Sequence, residues 1–229
     1  MNIASNGFAG SARDRFERMH DEIRTRICLL DYAPGARLSE EILAAEFGIS
    51  RTPLRRVLAR LESEGLLQSV HGVGTFVTDV DIGELAQTYR LRLELAEMIG
   101  KLDPVVPSPA IIAEFEALSE RARALLTAPD PRRFAELNME FFIAFLGLTA
   151  SEPLREISER LYFQTTRIWL KSVFASLIDL RDEVEVFRRE ISDVRRALRI
   201  GDVHAAALIH RAHISMSFER MRKGAGASR

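Results

Sequence analysis

The stretch Ser50–Leu67, SRTPLRRVLARLESEGLL, restricts the fold more than any other part of the chain, because it reads as an amphipathic helix with a proline near its start. Leu54, Val57, Leu58 and Leu61 recur at i, i+3, i+4 and i+7, which is one apolar face of a helix. Ser50 is placed to cap that helix, and Pro53 then falls in the first turn, where backbone N–H groups have no intrahelical partner to lose. At about 100° per residue, Thr52 and Arg55 point away from the apolar face, Arg51 stands at its N-terminal edge, and Arg56 and Arg60 share the other flank. No acid interrupts residues 50–60, and Glu62 and Glu64 follow only afterwards. Positive charge therefore collects on the N-terminal half of the helix.

The flanking sequence gives this helix a context. Phe16, Met19, Ile23, Ile27 and Leu30 mark a first helix from about Ala12 to Leu30, which Pro34 and Gly35 break. Ser39 caps a short second helix with Ile42, Leu43 and Phe47 inward, and Gly48 ends it. After Gly65, the segment LLQSVHGVGTFVTDV sets turn glycines between β-prone runs, which predicts a two-stranded hairpin. Three helices with a glycine between the second and third, followed by a hairpin, make a winged helix-turn-helix. Such a motif inserts the N-terminal part of its recognition helix in the major groove of DNA. Arg51 and Arg55 are placed to donate to guanine O6 and N7, and Arg56 and Arg60 to hold phosphates.

Composition narrows the remaining classes. The formal net charge of −1 gives no overall attraction to nucleic acid or acidic membranes, so any anion-binding surface is local. Residues 1–80 carry 10 basic and 11 acidic side chains, a weak balance that a dimer relieves by doubling the contacts. Cys28 is alone, which excludes an intrachain disulfide and a thiolate zinc cluster. The longest apolar run, FFIAFLGL, is too short to span a bilayer, and the N-terminus lacks the pattern of a signal peptide. A cytoplasmic protein without a membrane partner is expected.

From Asp81 onward no strand pattern appears. Six helical segments run approximately Ile82–Lys101, Pro109–Thr127, Pro131–Leu148, Pro153–Ala175, Leu180–Ile200 and Asp202–Arg222. Ser108, Asp130 and Ser151 precede first-turn prolines, and Gly201 separates the last two segments. The expected architecture is mainly α: a winged helix-turn-helix over 12–80 and an antiparallel six-helix bundle over 81–222. The ends 1–11 and 223–229 are expected to be disordered.

The run PGARLSEEILAAEFGISRTPLRRVLARLESEGLLQSVHGVGTFV closely resembles the DNA-binding domain of GntR-family transcriptional regulators over roughly residues 13–79. The resemblance implies that Arg51 and Arg55 read guanines in a short palindrome, that Ser50 and Thr52 meet phosphates or nearby bases, and that the wing enters the minor groove with His71 and Gly72. Glu41 departs from the pattern, standing where relatives usually carry a DNA-contacting arginine. A carboxylate there repels phosphates or accepts from cytosine N4, so weaker binding or an altered operator is expected.

The helical half resembles the FadR-like, or FCD, effector domains of the same family, in its shorter six-helix form, through YRLRLE, NMEFFIAFL with SEPL, and ALRIGDVHAAALIHRAHI. Many such domains hold a divalent metal with an Asp or Asn and three His. Those ligands fall here on Asn138, Phe142, Ile191 and His213, so two of the three histidines are replaced by hydrocarbon and no metal cofactor is expected. A makeshift pair of His210 and His213 is a minor alternative. Asn138 lies on the inward stripe Phe134, Leu137, Phe141, Phe145, and Ile191 on Val184, Phe187, Val194, Leu198.

Arg92 interrupts the stripe Leu85, Tyr89, Ala96, Ile99, and needs a carboxylate from near Glu94, from another helix or from an effector. Arg92, Asn138, Phe142, Ile191 and His213 form the expected effector site, and the apolar replacements lean toward a less polar ligand. The resemblance implies a homodimeric regulator of a palindromic double-stranded operator, more often a repressor, whose small-molecule effector is an organic acid or acyl compound. Alternatives are a metal-dependent acid sensor of the same family, a constitutive DNA-binding module with a filled pocket, and a helical enzyme with an accessory DNA-binding domain. The last lacks a nucleophile–base pair, an HExxH or a phosphate-cradling glycine loop.

Overall fold

The computed structural model describes residues 11–79, 81, 83, 85–174 and 179–227. The chain divides into two compact units, Met1–Asp79 and Val80–Arg229. The described residues of the first form α1 (Ala12–Cys28), β1 (Arg37–Leu38), α2 (Glu40–Glu46), α3 (Arg51–Ser63), β2 (Leu67–Val70) and β3 (Gly74–Val77). Those of the second form α4 (Ala86–Met98), α5 (Pro109–Thr127), α6 (Pro131–Leu146), α7 (Glu152–Phe174), α8 (Leu180–Arg199) and α9 (Val203–Ala227).

In the first unit, a capping box starts α1: the Ser11 hydroxyl accepts from the Asp14 N–H at 3.1 Å, and the Asp14 carboxylate accepts from the Ser11 N–H at 2.9 Å. The helix stops at Cys28 rather than Leu30, because Leu29 caps it and Leu30 turns left-handed at φ 62°. Met19, Ile23 and Ile27 of α1 are buried with Leu54, Val57, Leu58 and Leu61 of α3, the stripe expected from the sequence. Ile42 was expected inward but is 67% exposed; Leu43, Ala44 and Phe47 fill the core beside it.

The sheet has three strands in the order β1-β3-β2, all antiparallel, where a two-stranded hairpin was expected. The additional strand, β1, is two residues long, too short to show an alternation. The Pro34-Gly35 turn brings it alongside β3, where Gly35 and Val77 N–H groups bond across at 2.9 Å. The wing tip is a tight turn closed by the Val73 N–H on the Val70 carbonyl at 3.0 Å, with Gly72 at φ 73°. That backbone favours glycine at the third position of the turn.

In the second unit the six helices close into a ring, in which neighbours pack in the order α4, α9, α8, α5, α6, α7 and back to α4. Caps set several starts: Ser108, Asp130 and Asp179 each accept from the backbone N–H three residues on. Phe115, Phe141, Phe145, Leu137 and Ile191 lie in the interior with almost no exposure. The helix α9 continues to Ala227, five residues beyond the expected end at Arg222, so the tail expected to be disordered from 223 is helical as far as 227. Residues 1–10 and 228–229, also expected to be disordered, lie outside the described residues, and Ser11 is the ordered cap of α1. Among the described residues no helix is long and apolar enough to cross a membrane.

Candidate nucleic-acid interface and ligand cavity

The recognition helix α3 presents Arg51, Thr52, Arg55, Arg56 and Arg60 to solvent, while its leucines and Val57 are buried. Ser50 has the extended backbone of an N-cap, φ −77° and ψ 164°, but its side chain makes no capping bond. A cap hydroxyl accepts from the second or third helical N–H, and Pro53 at the third position removes one of these two donors. The Ser50 hydroxyl is left available at the mouth of the helix.

The arginines are not equivalent. Arg51 Nη2 lies 3.3 Å from Glu41 Oε2, and Arg55 Nε 2.8 Å from Glu40 Oε2, so both candidate base readers face acids on the first turn of α2. Arg60 reaches back to α1, with Nη1 2.7 Å from Glu17 and its guanidinium 5.8 Å from the Phe16 ring, while Nε is 3.2 Å from Glu64. Arg56 is exposed and makes no hydrogen bond or ion pair with any described residue. It borders, with Ser50, Pro53 and Phe16, a surface hollow of about 550 Å³ between α1 and the start of α3. His71 and Gly72 stand exposed at the wing tip.

Behind α3, His20 is completely buried with carboxylates at both ring nitrogens: Nε2 is 2.8 Å from Glu64 and Nδ1 3.2 Å from Asp21. Burial opposes its protonation, but hydrogen bonds to Asp21 and Glu64 outweigh it and raise the imidazole pKa above its ordinary value. Burial likewise opposes ionisation of Glu64, and its bond with His20 more than compensates, holding that carboxyl below the usual range. His20 belongs to the apolar face of α1 by phase, yet nothing in the sequence around it marks it as an ion pair.

In the helical unit, Arg92, Asn138 and His213 line one cavity of about 90 Å³. Arg92 is 9% exposed, donates from Nη1 to the Thr165 hydroxyl at 2.7 Å, and lies 5.1 and 5.2 Å from the rings of Tyr89 and Tyr162. Among the described residues it has no carboxylate partner; Glu94, on the same helix, pairs instead with Arg211 at 3.1 Å. Burial pushes the Tyr89 phenol pKa up, so the ring beside Arg92 stays neutral. Asn138 Oδ1 accepts from the Tyr162 hydroxyl at 2.8 Å.

Phe142 and Ile191 do not line this cavity. Phe142 stacks on Tyr162 with centroids 3.8 Å apart, and Ile191 is fully buried in the core. The inference of a less polar ligand from these two side chains therefore loses its basis. The lining also holds residues that sequence reasoning missed: Glu183, bound by Arg220 at 2.5 and 3.0 Å, and Glu190, 2.6 Å from His210 Nδ1 and 3.9 Å from His213. Their signal was available, since Glu183, Phe187 and Glu190 share one stripe of α8 and both acids are buried. The residues at the carried-over ligand positions do not fit a divalent metal: only Asn138 and His213 offer donors, and the Asn138 oxygen is engaged by Tyr162. Among the described residues no three His, Cys, Asp or Glu side chains are grouped to hold one.

Two family models match the chain: bacterial regulatory proteins of the gntR family over residues 16–77, and the FCD domain over residues 87–216. The chain belongs to the GntR family and carries an FCD domain. The matched family and the relatives given below are regulators, not enzymes with an accessory DNA-binding domain. An uncharacterized HTH-type transcriptional regulator in an unstable DNA locus of Streptomyces ambofaciens is 43% identical over 95 residues, covering 41% of this chain and 39% of that protein. The chain thus spans less than half the length of that relative. The gluconate operon transcriptional repressor of Bacillus subtilis is 23% identical over 194 residues, 82% of this chain and 79% of that one. The solved structure of McbR/YncC from E. coli superposes with a TM-score of 0.79 at 22% identity, covering 91% of this chain and 97% of that one, which establishes the shared fold.

Proposed function

We propose that this GntR-family chain is a cytoplasmic, dimeric repressor whose winged helix binds a palindromic operator and whose helical unit senses a small organic acid without a metal ion. The observation that carries the effector half is Arg92, a buried guanidinium at a cavity, held by a hydroxyl and two aromatic rings, with no carboxylate partner among the described residues. A buried cation in that state gains most from an anionic ligand. Glu183 and Glu190 do not supply that partner, because Arg220 and His210 already engage them. The cavity of about 90 Å³ is small beside the roughly 300–1,000 Å³ of common ligand sites, which suits a short-chain acid.

The DNA half is supported by the exposed arginine face of α3, the unengaged Ser50 hydroxyl and the glycine-turned wing, together with family membership. Repression is the role named for the gluconate relative, and a dimer supplies the two recognition helices that the half-sites of a palindrome require. An effector changes DNA affinity only if it favours one conformer over the other.

The test is a titration of the full chain with acetate, propionate and their hydroxy and oxo derivatives, followed by thermal shift and by binding to operator duplex, with Arg92→Met beside wild type. One of these acids should stabilise wild type and weaken its DNA binding, unaffected by a chelator, and Arg92→Met should lose both effects while still binding DNA. A flat response to every acid would favour a second reading, a constitutive DNA-binding protein with a closed pocket, which the cavity's size against the roughly 300–1,000 Å³ of common ligand sites also supports. Native mass spectrometry reads the dimer and any retained metal in one experiment.

A further inference from the structure

We propose that Glu41 is a base-reading residue, and that together with Arg51 it reads a single G·C pair in one orientation. The inference rests on the DNA-binding reading above. Two acids begin α2, and they behave differently. Glu40 is 30% exposed in its side chain and holds Arg55 at 2.8 Å, which makes it a positioning residue for that guanidinium. Glu41 is 81% exposed, and its contact with Arg51 is long, 3.3 Å, with Arg51 itself 58% exposed. Glu41 thus stands in solvent beside a candidate base reader, on the surface that the recognition helix presents.

The chemistry of this pair is directional. A guanidinium offers two adjacent donors and a carboxylate offers only acceptors, so Arg51 and Glu41 side by side display donor, donor, acceptor. The major-groove edge of a G·C pair displays the complement: acceptors at N7 and O6 of guanine, then the N4 amino donor of cytosine. An A·T pair displays acceptor, donor, acceptor, and the reversed C·G pair presents its groups in the opposite order. A carboxylate gains nothing from phosphates, so its favourable place at this interface is opposite a base donor. Its proximity to Arg51 also offsets the positive charge that would otherwise attract any DNA backbone.

The experiment selects sites from random duplexes with the full chain, as wild type and as Glu41→Ala. It then measures binding at fixed salt to the selected site with the 4-amino group of the implicated cytosine removed by a 2-pyrimidinone analogue. Wild type should select an invariant G·C at one position of each half-site and lose about tenfold in affinity when the amino group is removed. Glu41→Ala should show no such loss. Equal losses in the two proteins, or a wild-type preference at that position unchanged in Glu41→Ala, would overturn the assignment while leaving operator binding intact. If wild type enriches no sequence, the DNA-binding reading itself fails. The exposure of Glu41 means that the substitution removes no core contact.

Discussion

Arg56→Ala and Arg60→Ala remove the same side chain from α3 about one turn apart, and the structure predicts opposite signatures for them. Arg60 is tied to Glu17 at 2.7 Å and Glu64 at 3.2 Å, and its guanidinium lies over Phe16. To meet a phosphate it must give up Glu17, an exposed pair worth about 0–1 kcal/mol, so its net gain at DNA is correspondingly reduced. Arg56 has no partner among the described residues to surrender. A charge-assisted bond from Arg56 to a phosphate is worth about 1.5–3 kcal/mol, or roughly 10- to 150-fold in affinity, and its loss flattens the salt slope by about one unit per contact. Arg60→Ala should instead weaken the junction of α1 with α3 by about 1 kcal/mol, from the one screened pair with Glu17 and one cation–π contact with Phe16. Anisotropy titrations on cognate and random duplexes between about 50 and 200 mM salt measure the slope, and amide exchange in α1 measures the junction. If Arg60→Ala flattens the slope as much as Arg56→Ala and leaves α1 protected, the reasoning from these ion pairs is wrong.

Three further outcomes follow from the geometry. His20 has a raised pKa in the fold, so its stabilisation of the first unit is complete below the ordinary value of 6.5 and fades as pH rises through the raised one; Glu64, with its lowered pKa, withdraws its share only as pH falls below the carboxylate range. A histidine NMR titration in which His20 titrates below 6.5 contradicts this. Gly72→Ala forces a side chain into the left-handed backbone of the wing turn and should cost the hairpin about 1–2 kcal/mol, read as faster exchange in β2 and β3 with unchanged protection in the helical unit. Tyr162→Phe strips Asn138 of its hydroxyl donor at 2.8 Å and should destabilise the helical unit by about 1 kcal/mol in urea, monitored by Trp169; an unaltered midpoint would show that Asn138 finds another partner.

What the sequence revealed and what it concealed divide along physical lines. The long helices were legible because caps and apolar periodicity act locally: α5 begins and ends at the expected residues, Pro109 and Thr127, and the other five bundle helices depart at one end or both. The recognition helix was legible for the same reason, and so was its charged face. The strand β1 was not, since two residues carry no period. Pairings across helices were concealed as well, because phase tells which side a residue faces but not what faces it. Arg92 was recognised as an inward cation, yet its partner proved to be Thr165, 73 residues away in the chain. The buried acids Glu183 and Glu190 share a stripe with Phe187, and a count of charges on buried stripes would have found them, whereas their partners Arg220 and His210 come from another helix. The same limit explains Phe142 and Ile191: position-by-position transfer placed them at the ligand site, but a phenylalanine with a tyrosine to stack on and an isoleucine without polar atoms both turn into the packing. The cavity is lined instead by Arg92, which lacks a carboxylate among the described residues, and by Glu183 and Glu190, which already have partners; the charges that bound the site thus come from positions that a transfer of ligand positions does not visit.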